Sequence, residues 1–217
     1  MDNFIGHFWT QKLEDLKEAL EANNFTVRVA ADADEAKRQI IEEIVPAFAP
    51  KTISFGGSGT ISGSGIYAAL KELPDVEILD TYEYTLPHAE MYERRRQALL
   101  VDLFVTGTNA VTTSGVLVNL DMIGNRTGAI NFGPKHVVLV IGRNKICEDL
   151  DAAMLRVKSI TAPANAMRLD KKTPCVKSAV CMDCKSPDRI CNVWTITEKC
   201  FPKGRITVIL VNQELGF

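Results

Sequence analysis

The sequence has no run of about 18 or more apolar residues, which excludes an ordinary membrane-spanning helix. Met1-Asp2-Asn3-Phe4 is not the basic stretch followed by an apolar stretch that a secretory signal shows, so no signal peptide is expected. No charge of one sign dominates either. The 25 basic and 27 acidic residues leave −2, too balanced for a broad nucleic-acid footprint. Histidine is scarce, with only His7, His88 and His136, and no Ser-His-Asp set can be assembled around them. His136 abuts an apolar strand and reads as structural, whereas His88 is a candidate acid or base at a helix start. There is no Walker A loop, no internal repeat and no low-complexity linker.

Six cysteines are present, but four of them crowd into Cys175–Cys191, at spacings that suit a metal better than a disulfide scaffold. A reducing, cytoplasmic compartment is therefore expected. With 217 residues, 46% hydrophobic and 24% charged, the chain can bury a substantial core without disulfides. The expected organisation is one α/β domain over 1–217, with a cysteine-rich metal-binding insertion at about 172–200.

Helix and strand signals alternate along the first half. Phe4, Phe8, Leu13, Leu16 and Leu20 fall near one face at helical spacing, a strand follows over Phe25–Ala30, and Asp32 with Glu35 reads as a capping box. That second helix is predicted to end near Pro46. Further strands are predicted at Lys51–Phe55, Val76–Leu79 and Asp102–Thr106, with helices over Ile61–Leu73 and His88–Leu100. Short strands at Val116–Leu120, Ala129–Phe132 and Val137–Ile141 come next, then a helix from Glu148 to about Ile160. Arg205–Asn212 closes the pattern as a buried strand. The run Val137–Ile141 is apolar at every position, as in a strand covered on both faces. The alternation points to a three-layer α/β fold, a mostly parallel sheet sandwiched by helices.

Two glycine- and hydroxyl-rich loops leave the ends of predicted strands, where open α/β sheets collect ligands. Gly56, Gly57, Ser58, Gly59 and Thr60 follow the first; their backbone N–H groups and the next helix N-terminus can face an anion, although a tight turn needs small residues too. Gly107, Thr108, Asn109, Thr113, Ser114 and Gly115 belong to the second, with Asp121, Asn125 and Arg126 to supply nearby charge. Arg126 has the geometry to pair a carboxylate or phosphate bidentately. A small-molecule carboxylate or phosphate is the expected ligand.

Cys175, Cys181, Cys184 and Cys191 are the sharpest chemical signal. Two thiolates separated by two residues can hold one metal centre in a turn, and two more complete four ligands. Both zinc and a [4Fe–4S] cluster accept four thiolates, and the spacing does not choose between them. Cys147 and Cys200 lie outside the group and read as buried free thiols, although Cys200 could stand in for a missing ligand.

Taken together, several segments resemble the LUD-domain family (lactate-utilization protein C and relatives), in particular its members with a cysteine-bearing C-terminal segment. The resemblance rests on Phe55-Gly-Gly-Ser-Gly59, Gly107-Thr-Asn-Ala-Val-Thr-Thr-Ser-Gly115, Gly124-Asn-Arg126, Phe132-Gly-Pro-Lys135 and Gly142-Arg-Asn-Lys145. Ala162-Pro-Ala-Asn-Ala166, Ser186-Pro-Asp-Arg-Ile-Cys-Asn192 and Glu214-Leu-Gly-Phe217 extend it. It implies a fold similar to the NagB/RpiA/CoA-transferase group and a place in organic-acid metabolism, beside iron–sulfur partner proteins that oxidise L-lactate to pyruvate. Some relatives of that fold carry a glutamate before the glycine that here ends Thr113-Ser114-Gly115, so its covalent acyl-glutamate chemistry is not implied. Three functions stay open at this point: a lactate-utilization-type protein with an iron–sulfur centre, a non-redox CoA-transferase-like or phosphosugar-type enzyme with structural zinc, and a non-catalytic assembly subunit. The oligomeric state is left open as well.

Overall fold

The apolar run around Val138 shows why the molecule is layered. In β7 (His136–Gly142), Val137, Leu139 and Ile141 join one buried cluster while Val138 and Val140 join another, as the two-residue period of a strand requires. A strand apolar on both sides needs cover on both sides. The first cover is the helix Phe4–Ala22, through Leu13, Leu16 and Leu20, together with Ala129 and Ile130 of the helix Asn125–Asn131. The second comes from the helix over 33–48, through Ala36, Ile40 and Ile44, and from Ile61, Ile66 and Leu70.

The computed structural model describes residues 4–217. The central six-stranded sheet comprises β1 (Thr26–Ala30), β2 (Thr52–Phe55), β3 (Glu77–Leu79), β4 (Leu103–Thr106), β7 and β10 (Ile206–Val211), in the order β1-β10-β7-β4-β2-β3. Every pairing in it is parallel. From β2 the chain steps outward to β3 and then returns to place β4 on the other side of β2. The direction of winding therefore reverses between β2 and β4, and the carboxyl ends of those strands diverge around a crevice. A four-stranded sheet, ordered β8-β5-β6-β9, is built from β5 (Ala110–Thr112), β6 (Leu117–Asp121), β8 (Ile146–Cys147) and β9 (Val193–Thr197). Its Ala110, Val118 and Leu120 pack on Ala153 and Val157.

Several elements depart from the sequence expectations. The helix after Asp32 does not stop at Pro46 but runs to Phe48 through a π-turn at Ile40–Ile44. Val45 N–H donates to Ile40 C=O, five residues back. That wider turn accommodates a proline, which has no N–H to give and whose ring crowds the carbonyl of an ordinary helical turn. The helix starting at Leu150 repeats the device: a π-turn at Val157–Thr161 precedes Pro163, and the chain stays helical to Arg168, past the predicted end at Ile160. The expected helix over Ile61–Leu73 is two short ones, Gly59–Gly63 and Ile66–Lys71, broken at Gly65 with φ +73°. Ala129–Phe132, predicted as a strand, is helix Asn125–Asn131, because an apolar run of four fits either element. β9 was hidden beside the cysteine segment and β5 inside the polar loop. No described helix is long and apolar enough to cross a membrane.

Candidate functional site

Three parallel strands end side by side. β2 runs into Gly56-Gly57-Ser58, β4 into Gly107-Thr108-Asn109, and β7 into Arg143-Asn144-Lys145. Their loops, with the segment after β10, enclose a polar cavity of about 100 Å³. Of the predicted ligand residues, Gly57, Ser58, Gly59, Gly107, Thr108, Asn109 and Arg126 line it. Thr60 lies buried just beneath. Gly56 packs against Thr106 and Arg126 so closely that an added Cβ would stand 2.5 Å from Thr106 Oγ1.

The other predicted residues are elsewhere. Ser114 C=O accepts from Asn23 Nδ2, and Gly115 abuts the backbone of Ala19, so the Thr113-Ser114-Gly115 turn is braced against the first helix and does not line the cavity. Asn125 opens a helix outside the lining, and His88 stands exposed at the start of another. His136 stacks on Phe48, with ring centroids 3.8 Å apart, in keeping with a structural place.

Arg126 is not free for a ligand. Its Nη1 donates to Gly107 C=O and Asn119 Oδ1, and its Nη2 donates to Asn109 Oδ1 at 2.8 Å and Asp121 Oδ1 at 2.6 Å. Asp121 Oδ2 accepts from Thr127 N–H, which ties the helix to the same point. Arg126 therefore braces the β4 loop against the second sheet, and its charge is answered by Asp121. The glycine loop is partly committed as well. Gly56 N–H donates to Val105 C=O, and Ser58 N–H to Tyr82 Oη, whose own hydroxyl donates to Gly56 C=O. Burial raises the Tyr82 phenol, so it stays a neutral strut. The helix after the loop has five residues, too few to lend an anion the field expected from its N-terminus.

Lys145 is a cavity side chain that the motifs of the sequence do not mark as a ligand residue. It is 3% exposed and lines the cavity, and its Nζ donates to Thr60 Oγ1 at 2.7 Å. Among the described residues it has no carboxylate partner. Burial, then Arg156 and Arg126, bring its ammonium down to about 7. Arg168 lines the same cavity, held by its own-helix neighbour Asn165 through Nε and Nη2, and it makes no ion pair among the described residues. The π-turn ahead of Pro163 puts Thr161, Asn165 and Arg168 on the cavity side of their helix. The signal for Lys145 lay in its position: Gly142-Arg-Asn-Lys145 leaves the carboxyl end of the most apolar strand.

On the far side of that helix, Cys175, Cys181, Cys184 and Cys191 all line one small cavity, with Ala162, Pro163 and Ala166 as part of its wall. All six cysteines are unpaired. Among the described residues no three His, Cys, Asp or Glu side chains meet at a point that would hold a single metal ion. Cys200 is buried in the main core and Cys147 is packed in the smaller one.

The parallel sheet, covered by helices on both faces and carrying its cavity at the winding reversal, defines a three-layer α/β protein. The LUD-domain family model matches residues 13–211, so the chain belongs to that family. A crystal structure of a DUF162 family protein from Deinococcus radiodurans is similar in fold, with a TM-score of 0.50 and 16% identity, over 94% of this chain and 98% of that one. No curated protein matches the chain.

Proposed function

We propose that this is a lactate-utilization-type metabolic protein that binds a small carboxylate in the cavity between β2, β4 and β7. The observation that carries the reading is Lys145, a buried amine inside a polar cavity whose protonated form has no counter-charge of its own. A buried ammonium in that state is costly, and a ligand carboxylate would relieve the cost. Arg168 stands at the same cavity as a second cation, and Gly57 and Gly59 of the glycine loop line it as well. Asn109 and Arg126 keep the opposite wall in place. Membership of the LUD-domain family supports a 2-hydroxy or 2-oxo acid over other carboxylates, and iron–sulfur partner proteins fit the same reading.

Calorimetric titration with L-lactate, pyruvate and inorganic phosphate tests it. Saturable binding of lactate or pyruvate, abolished in Lys145→Met with the fold retained by circular dichroism, is the expected result. Phosphate binding alone would move the assignment to a phosphate ligand. Binding of none of the three, or undiminished binding by the variant, would refute it.

A further inference from the structure

Lys145 presents an amine, not only a charge, to the cavity. Among the described residues its Nζ makes one hydrogen bond, to Thr60 Oγ1 at 2.7 Å. Thr60 donates its own proton to Leu215 C=O at 3.3 Å, so the hydroxyl orients the amine without protonating it. Gly107 lines the same cavity and keeps space beside the nitrogen, since a Cβ there would stand 3.6 Å from Nζ.

The neighbouring charges favour the uncharged amine. Asp121, a carboxylate of the cavity wall, is occupied by Arg126 Nη2 and Thr127 N–H. Arg156 is fixed as well, donating to the carbonyls of Asn109 and Asn144 and to Thr161 Oγ1. Burial, then Arg156 and Arg126, bring the Lys145 ammonium down to about 7, so a large share of the amine is unprotonated at neutral pH. Desolvation beside other cations is what turns a lysine amine into a nucleophile. Arg168 differs from those two guanidinium groups: it is exposed, is held by Asn165 and makes no ion pair among the described residues. A short acid with its carboxylate on Arg168 would carry its next carbon inward, toward the buried amine. The cavity of about 100 Å³ is well below the ~300–1,000 Å³ of sites for drug-sized ligands, which restricts the acid to a few atoms.

Building on the carboxylate reading above, we propose that the ligand is a short 2-oxo acid and that Lys145 joins it covalently as an imine, with Arg168 holding the carboxylate. Nζ attacks the carbonyl carbon to form a C–N bond. The carbonyl oxygen takes up two protons and leaves as water, and a C=N bond replaces C=O. From the free amine, formation of the protonated imine takes up one proton overall, and no oxidant or reductant enters. The imine nitrogen keeps a positive charge beside the carboxylate, so the ligand still answers it. A 2-hydroxy acid has no carbonyl and can bind only as an ion pair.

The test is to incubate the full chain with pyruvate and cyanoborohydride, which reduces the imine to a stable amine, and to read intact mass and a peptide map. A mass gain of one pyruvic acid less one oxygen atom, mapped to Lys145 and saturating with pyruvate, is expected. L-lactate should give no adduct, and neither should Lys145→Met with pyruvate. Arg168→Met should need about tenfold more pyruvate for half-maximal trapping; an unshifted requirement would remove Arg168 from the assignment. Adducts scattered over surface lysines and retained in Lys145→Met would overturn the proposal. Should that variant fail to fold, the peptide map of the unaltered chain still decides. Pyruvate binding seen by calorimetry without an adduct on Lys145 would refute the imine and leave the carboxylate reading standing, whereas neither binding nor adduct would refute both.

Discussion

Arg126 and Asp121 face each other at 2.6 Å with both side chains 7% exposed, and the pair joins the β4 loop, the second sheet and the helix Asn125–Asn131 at one place. Removing one charge leaves the other buried without compensation. Asp121→Ala should therefore cost about 3–5 kcal/mol, the range for breaking a buried pair. Adding Arg126→Met to that variant should recover part of the loss, since the orphaned guanidinium goes too. Urea unfolding of the two single variants and the double one measures this; additive losses would show that the pair is not coupled.

Gly107 touches the opposite loop of the cavity. A Cβ there would lie 2.8 Å from Ser58 Oγ and 3.4 Å from Val140 C=O. Ser58 is the softer neighbour, and it caps the helix Gly59–Gly63 through Ile61 N–H. Gly107→Ala should displace Ser58, lower carboxylate affinity by about tenfold and cost only ~1 kcal/mol of stability. Gly57→Ala, which meets nothing within 4 Å, should leave stability unchanged. Equal affinity in Gly107→Ala and the parent, measured by titration, would separate these two loops from the ligand.

At the other end of β4, Asp102 accepts from Lys135 Nζ at 2.7 Å and from the N–H groups of Lys51 and Thr52. The Lys135 ammonium first, then those two donors, outweigh burial and hold its carboxyl at about 2. A carboxyl lowered on folding gives stability that is fully present above the unfolded value near 3.9 and is lost as pH falls through it toward 2. Asp102→Asn should melt at a lower temperature at pH 7 and show a flatter decline between pH 4 and pH 2. An unchanged acid limb would mean that Asp102 does not tie β2 to β4 in solution.

How much of this was legible depended on what each residue's neighbours in sequence already determine. Val137–Ile141 announces a doubly covered strand by itself, and the capping residues Asp32 and Asp149 start their helices locally. Ala129–Phe132 does not distinguish helix from strand, and what settles it is distant: Asp121 Oδ2 accepting from Thr127 N–H, and Ile130 buried in the main core. The π-turns before Pro46 and Pro163 have no periodic signature, since the same apolar spacing would fit an ordinary helix ended by proline. Arg126 reads from the sequence as a partner for a ligand, because Gly107, Asn109 and Asn119, which with Asp121 occupy its guanidinium, are brought to it only by the fold. Lys145 lies in a polar tetrapeptide that reads as exposed; the helix Gly59–Gly63 and the segment after β10 bury it.

Lys145 also sets the response to alkaline pH. Its ammonium is lowered on folding to about 7 from 10.5, by burial first and by Arg156 and Arg126 second. Between those values the unfolded chain binds a proton that the folded chain does not, so stability rises with pH across the window. Below about 7 the folded protein bears the full cost of a charged, buried amine. Lys145→Met keeps the length of the side chain and removes that cost, so it should be more stable than the parent by about 1–3 kcal/mol at pH 6. The advantage should shrink as pH approaches 10. A bound carboxylate favours the ammonium, so binding near pH 8 should take up a proton and weaken as pH rises. Calorimetry in two buffers of different ionisation enthalpy counts that proton. A variant less stable than the parent at every pH, or binding without proton uptake, would mean that the Lys145 charge is answered by some group other than the ligand.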